Sequence, residues 1–298
     1  MKAIMRPLFC LLLSLGLWLL VGCESMVETS SISSKEGAGT SANSFLSENS
    51  SSDTSANFAV KVGERAEFNG KQWEVTFSDD FDGTRLNSQN WTYSQPVKRA
   101  DYNNYWNRKQ VSLSGDGFLQ LGIDYDAESD RILSGAITSD RIFEQTYGYF
   151  ECRAKLQAAS GCWSAFWLMS NDIIKVGNGG QDGAEIDIFE SPFFNLGTVQ
   201  SALHWDGYLD NHQSVAGPQY RLHDMYYKFH TFALEWTKDA YVFYVDGKET
   251  WRTDAGGVCE VPCYMQLSVE AGSWGGDFIK EQMPACFTVD YVRVYKEI

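Results

Sequence analysis

Positive charge is scarce in this chain of 298 residues. Lysine and arginine number 24 against 39 acidic residues, a formal net charge of −15. A surface this acidic argues against nucleic acid and against sulfated or uronic polymers, and it leaves neutral molecules as the easier partners. Histidine is scarcer still. The four His residues are dispersed, and none stands at a zinc-type spacing from cysteine. No long stretch carries a 3.6-residue apolar period, which speaks against a helical fold. No internal repeat and no Pro- or Gly-rich break divides residues 58–298. That segment of about 240 residues therefore reads as one domain, of a size that suits an all-β fold.

Long apolar runs are missing as well. Residues 7–22 contain no acid and no base but number only 16. That is short for a membrane span and right for the core of a signal peptide behind Lys2 and Arg6. The run ends Leu20-Val21-Gly22-Cys23, which resembles a bacterial lipobox. Residues 1–22 are then a lipoprotein signal peptide, and acyl chains on Cys23 hold the protein on a membrane without a transmembrane helix. An ordinary signal peptide with a chance cysteine is the alternative. Glu24, not Asp, follows Cys23; by analogy with sorting in bacteria with two membranes, this allows the outer membrane or cell surface. Residues 23–57 read as a lipid-anchored linker. Serine fills 12 of the 34 positions 24–57, and such a stretch buries too little surface to offset chain entropy. A flexible tether of that length spans roughly 30–35 Å and lets a domain reach large material away from the membrane.

Seven cysteines are present. Cys10 leaves with the signal and Cys23 is acylated, so Cys152, Cys162, Cys259, Cys263 and Cys286 remain in the domain. Export permits disulfides, an odd number leaves at least one thiol free, and sequence does not specify the pairing. Aromatic residues make up 14% of the chain, which suits a large sandwich core, a groove lined with rings, or both. Short aromatic and β-branched runs alternate with Asp-Gly turn signals. Tyr241-Val242-Phe243-Tyr244-Val245 followed by Asp246-Gly247 predicts a hairpin with a type I′ turn.

The chemistry-bearing segment is Glu185-Ile186-Asp187-Ile188-Phe189-Glu190. In a strand, residues two apart share a face, so Glu185 and Asp187 point one way and Ile186 and Ile188 the other. Strict alternation would add Phe189 to the acids. A one-residue bulge at Ile188-Phe189 resets the phase and returns Glu190 to the acidic face. The two Glu Cα atoms then lie about 13–15 Å apart, and the long side chains can lean inward until their carboxyl groups are roughly 5–6 Å apart. That spacing suits retaining glycoside hydrolysis, in which one carboxylate attacks the anomeric carbon and the other acts as acid and then base. A third acid between them crowds like charge and keeps the acid protonated. A solvent-facing edge strand and a calcium site are the competing readings of the same three acids. Upstream, Trp163 and Trp167 share a strand face. They either stack on sugar rings or pack in the core.

The six-residue segment resembles the catalytic signature of glycoside hydrolase family 16, in the longer, bulged form of its laminarinase- and agarase-like members. The similarity runs over most of residues 73–295 and includes Phe77-Ser78-Asp79-Asp80-Phe81-Asp82-Gly83, Gly148-Tyr149-Phe150-Glu151-Cys152, Phe243-Tyr244-Val245-Asp246-Gly247 and Asp290-Tyr291-Val292-Arg293-Val294-Tyr295. The resemblance implies a β-jelly-roll of two curved antiparallel sheets with substrate along the concave one. It implies Glu185 as nucleophile, Glu190 as acid/base and Asp187 as the assisting acid between them. Trp163 and Trp167 match rings that line the subsites, with Trp205 and Trp274 as further stacking candidates. His204 falls where such members present a substrate-contacting His, and an ordinary satisfied histidine is the equal alternative. Catalysis needs no cofactor, although Asp290 stands where some members ligate a structural calcium on the convex face. Two departures bear on substrate: Phe189 replaces a common Met, and Tyr102-Asn103-Asn104-Tyr105-Trp106-Asn107-Arg108-Lys109-Gln110 differs from laminarin-cleaving members in a loop expected at the non-reducing side of the cleft. The expected protein is a monomeric, exported endo-glycosidase of a neutral polysaccharide, foremost a β-1,3 or mixed β-1,3/1,4-glucan. An endo-galactanase or agarase, a transglycosylase and a non-cutting lectin are the alternatives. Keeping both Glu185 and Glu190 argues against the lectin.

Overall fold

The computed structural model describes residues 59–99, 102–192 and 197–298. All belong to one of the two units into which the chain divides, Ala56–Ile298. The expected signal peptide, the Ser-rich linker and the lipidation residue Cys23 lie outside the described residues.

Two β-sheets, of twelve and nine strands, stack face to face. Every strand pairing is antiparallel except that of Asn104–Trp106 with Arg131–Ser134. The helical elements among the described residues are three single 3-10 turns. The concave sheet runs in the order Gln213–Ala216, Thr198–Trp205, Ala184–Glu190, Cys162–Met169, Cys263–Ala271, Ala136–Thr138, Thr92–Tyr93. The convex sheet is built around His230–Trp236, Gly148–Lys155, Ala285–Glu297 and Leu119–Asp126.

Side-chain alternation decides what meets between the sheets. On Gly148–Lys155, Phe150, Cys152 and Ala154 are fully buried in the central core. Tyr149 faces the other way and packs with Trp73, Val75 and Tyr295. From the concave sheet, Phe166, Leu168, Ile186, Ile188 and Phe189 meet Phe232, Leu234 and Phe287. The Phe189 ring lies 4.1 Å from that of Phe232. Replacing a ring buried this completely by Ala costs roughly 3–5 kcal/mol. The predicted hairpin is present: Val245 pairs with Lys248, and Asp246 and Gly247 have φ of 49° and 71°, the two positive values a type I′ turn requires.

The five cysteines of the domain are free thiols. The Cys259 and Cys263 sulfurs approach to 4.0 Å.

Asp290, the residue expected at a structural calcium, is ion-paired in this structure. The guanidinium of Arg153 bonds directly to the Asp290 carboxylate. A dication there would have to displace a partly buried cation. Among the described residues, the one grouping of three acids or imidazoles able to converge on a metal is Glu185, Asp187 and His204, on the opposite sheet.

Candidate active site

The acid strand, Ala184–Glu190, is bulged where its composition demands. Against the neighbouring Trp strand, Phe189 pairs with Phe166 and Asp187 with Trp167, so Ile188 has no opposite number. Against Thr198–Trp205, the register slips between Asp187 and Glu190. The carbonyl of Ile188 accepts the Ser201 hydroxyl at 2.8 Å, which satisfies a backbone group that the broken ladder leaves over. The bulge sends both Ile188 and Phe189 into the core and turns Glu190 back to the face of Glu185 and Asp187. All three acids line one small cleft with Arg99, Trp163, Ala165, Trp167 and Glu270.

Negative charge crowds this cleft. Burial pushes the Glu185 carboxyl up to about 8, and the charge of Asp187 pushes the same way. His204, the Tyr208 hydroxyl and Arg99 act against both. Glu190 is likewise held well above its ordinary range, first by burial and then by Asp187, Glu185 and Glu270, with the Trp163 N–H pulling the other way. Both carboxyls are held toward the protonated form, and a crowded cluster of this kind has a state in which one group is ionised while another still carries its proton. Asp187 is 3% exposed, and His204 Nε2 stands 3.4 Å from its Oδ2. Burial lowers the His204 imidazole, but the hydrogen bond and charge of Asp187 and the charge of Glu185 outweigh it and raise it overall.

The family model described as "Glycosyl hydrolases family 16" matches residues 98–293, well over half of the chain. The chain belongs to glycosyl hydrolase family 16. It is an endo-acting enzyme of O-glycosyl bonds. It is 28% identical over 246 residues to a beta-glucanase of Rhodothermus marinus, covering 75% of this chain and 85% of that protein. It is 29% identical over 243 residues to a keratan-sulfate endo-1,4-beta-galactosidase of Sphingobacterium multivorum, covering 75% and 55%. Of three other curated relatives it spans only 33–38%. The solved endo-beta-1,3-glucanase of Pyrococcus furiosus superposes with a TM-score of 0.67 at 26% identity, over 80% of this chain and 99% of that one.

In this family 16 enzyme the expected aromatic residues divide between cleft and core. Trp163 pairs with Glu270 and Trp167 with Gln266 across the sheet, so both share the face of the acids and line the cleft. Trp274, 38% exposed, meets Trp163 edge-on at 5.3 Å and forms a rim. Trp205 does not join them. It pairs with Ala184, one residue out of phase with the acids, and packs against the central core. A Cβ on Gly256 would come within 2.7 Å of its indole. Its sequence neighbour His204 pairs with Glu185 and does face the site. Both His204 nitrogens are engaged, one by Asp187 and the other by His212 Nε2 at 2.9 Å, so it steadies the cluster from within.

Four further groups escaped the sequence reading. Glu270 is a fourth carboxylate, 5% exposed, which Arg99 grips with Nε at 3.2 Å and Nη2 at 3.3 Å. The Arg99 guanidinium also lies 4.2 Å from the ring centre of Trp106. Trp106 belongs to the loop singled out as departing from the family pattern. It packs with Trp163 and Trp167, so that loop does reach the cleft. Tyr208 donates its hydroxyl proton to Glu185. The signal for Glu270 was alternation along Cys263–Ala271. Arg99, Trp106 and Tyr208 arrive from loops and short edge strands, where no periodicity points.

Proposed function

We propose that the enzyme is a retaining endo-β-glucanase that cuts β-1,3 or mixed β-1,3/1,4-linked glucan. The observation that carries this reading is the bulge, which gathers Glu185, Asp187 and Glu190 on one face of the cleft, where burial and like charge raise both glutamates. Glu185 attacks the anomeric carbon while Glu190 protonates the departing oxygen. A water deprotonated by Glu190 then hydrolyses the glycosyl-enzyme. Asp187 supplies the negative charge that keeps Glu190 protonated, and His204 holds Asp187 in place. The walls formed by Trp163 and Trp167 suit the apolar CH faces of sugar rings. The names of the glucanase relatives support a glucan substrate.

A second reading keeps the chemistry and moves the substrate to a galactan. The equally similar keratan-sulfate endo-1,4-beta-galactosidase favours it. The deciding experiment is product release from laminarin, barley mixed-linkage glucan, lichenan, agarose, xyloglucan and carrageenan, with the anomer of the first product followed by NMR. Oligosaccharides from laminarin or barley glucan with retained β-configuration are expected. Products from agarose alone would move the substrate to galactans, and an inverted first product would overturn the mechanism.

The remaining parts of the reading concern the chain outside the described residues. The protein is exported, acylated at Cys23 and held at a bacterial membrane, and residues 23–57 tether a monomeric catalytic domain. The lipobox-like Leu20-Val21-Gly22-Cys23 supports the anchor. Radiolabelled palmitate incorporation that is lost in Cys23→Ala tests it.

A further inference from the structure

We propose that Tyr208 is a positioning residue for Glu185, carried on a loop that His212 latches to His204. The proposal rests on the reading of Glu185 as the nucleophile. The loop, residues 206–212, joins Thr198–Trp205 to Gln213–Ala216. It starts with an unusual backbone: Asp206 and Gly207 both lie in the left-handed region, at φ 60° and 74°, a turn that few other residue pairs would take. The turn is pinned to a neighbouring loop. Gly207 N–H donates to the Ile173 carbonyl at 2.7 Å, and Asp206 Oδ1 accepts the Gly177 N–H at 3.1 Å.

From this base the loop reaches the acids at two points. Tyr208 donates to Glu185 Oε2, although the residue as a whole is 49% exposed. The hydroxyl end is the buried part, and the ring lies 5.7 Å from that of His212, so the two points of attachment support each other. At the other end, His212 Nε2 meets His204 Nδ1 at 2.9 Å with the rings within 4° of coplanar. Against burial, Asp187 and Glu185 raise the His204 imidazole, and burial with the charge of His204 lowers that of His212, so the proton between the two rings sits on His204 Nδ1 and His212 Nε2 accepts it.

The other groups facing Glu185 are Asp187 on its own strand, His204 and Met169 from the flanking strands, Arg99, Glu190 and the Tyr264 hydroxyl from Cys263–Ala271. Among the described residues, Tyr208 is the one that donates a hydrogen bond to it. A hydroxyl bonded to one carboxylate oxygen fixes the orientation of the group and leaves the other oxygen to attack. It also favours the ionised form, against burial and against Asp187. Burial and the Glu185 charge hold the tyrosine's own proton in place, so Tyr208 donates the bond without transferring the proton.

Tyr208→Phe retains the ring and the loop and removes one O–H. The measurement is kcat/KM against pH on whichever of laminarin or barley glucan the wild type cleaves. The expected acidic limb moves to higher pH, with a loss of about tenfold at the acidic end, the size of one hydrogen bond to a charged group, and a smaller loss at the alkaline end. His212→Ala should move the limb the same way by less. Polymer binding, measured with Glu185→Gln alone and with Glu185→Gln combined with Tyr208→Phe, should be equal. An unmoved acidic limb, or a loss confined to binding, overturns the proposal and leaves Tyr208 as a wall of the cleft. The wild type is labelled in parallel with a 2-deoxy-2-fluoro glycoside of the disaccharide that it releases, and the modified peptide is sequenced. A label on any residue other than Glu185 removes the nucleophile reading itself, whatever the limb does.

Discussion

Buried acids lie on both sheets, and the two sets are treated differently. On the convex sheet each has a partner. Asp290 is bonded to Arg153, and Glu235 takes Lys71 at 3.1 Å and the Tyr244 hydroxyl at 3.1 Å. Asp80 takes Arg293 at 2.9 Å, and Glu151 accepts the Tyr291 hydroxyl at 2.9 Å. On the concave sheet, Glu185, Asp187 and Glu190 crowd one face, and the nearby guanidinium of Arg99 is already committed to Glu270. The chain thus pairs Asp290, Glu235 and Asp80 with a lysine or an arginine and Glu151 with a hydroxyl, where they only support the fold. On the concave sheet burial and like charge act together to raise Glu185 and Glu190, whereas on the convex sheet no neighbouring acid adds to the burial that raises Glu151. The contrast separates an active site from a structural ion pair without reference to any relative.

The sharpest way to break that comparison is to remove one acid from each set. Glu185→Gln should lower kcat by at least about 10³-fold while the protein still folds and binds polymer. A variant keeping more than a few per cent of wild-type turnover would remove Glu185 from the nucleophile role. Asp290→Ala should do the reverse. It strands the Arg153 guanidinium and should cost about 3–5 kcal/mol of folding free energy, read by urea denaturation, with kcat per folded molecule unchanged. A large kcat loss from Asp290→Ala would mean that the two sets are not separable.

A smaller effect tests the walls of the cleft. Trp163→Ala should weaken polymer binding by about 1–3 kcal/mol of lost ring contact, measured by affinity electrophoresis or calorimetry on the Glu185→Gln background. Trp205→Phe should leave affinity alone, because that indole faces the core. Equal affinity losses at both positions would mean that the observed division of tryptophans between cleft and core does not govern recognition.

Much of this was legible beforehand, for physical reasons that differ from residue to residue. The strand alternation of Glu185 and Asp187, and the mismatch at Phe189 that forces a bulge, follow from a period of two and from the cost of exposing a ring. The Asp246-Gly247 hairpin follows from two positions that need positive φ. Trp205 was misread because stacking was inferred from residue type, whereas its phase relative to Glu185 turns it inward. The ion pair of Asp290 was not legible because its partner, Arg153, lies 137 residues away, on a strand whose pairing no local pattern specifies. Arg99, Trp106 and Tyr208 reach the cleft from loops and short edge strands, and tertiary placement alone brings them there.

The finest test of the contrast is thermodynamic. The Glu185 carboxyl is raised from 4.5 to about 8 in the folded protein. Between those values the folded state keeps a proton that the unfolded chain has released, so stability falls as pH rises through the window. Glutamine carries no such penalty. Glu185→Gln should therefore melt above wild type at about pH 8, and the gap should close as the pH drops to about 4, where the wild-type carboxyl is protonated in both states. Activity and stability then move in opposite directions at one residue, as expected where a site is kept at the expense of the fold. Equal melting temperatures at both pH values would mean that the three acids are neutralised in solution, and the difference between the two sheets would disappear with them.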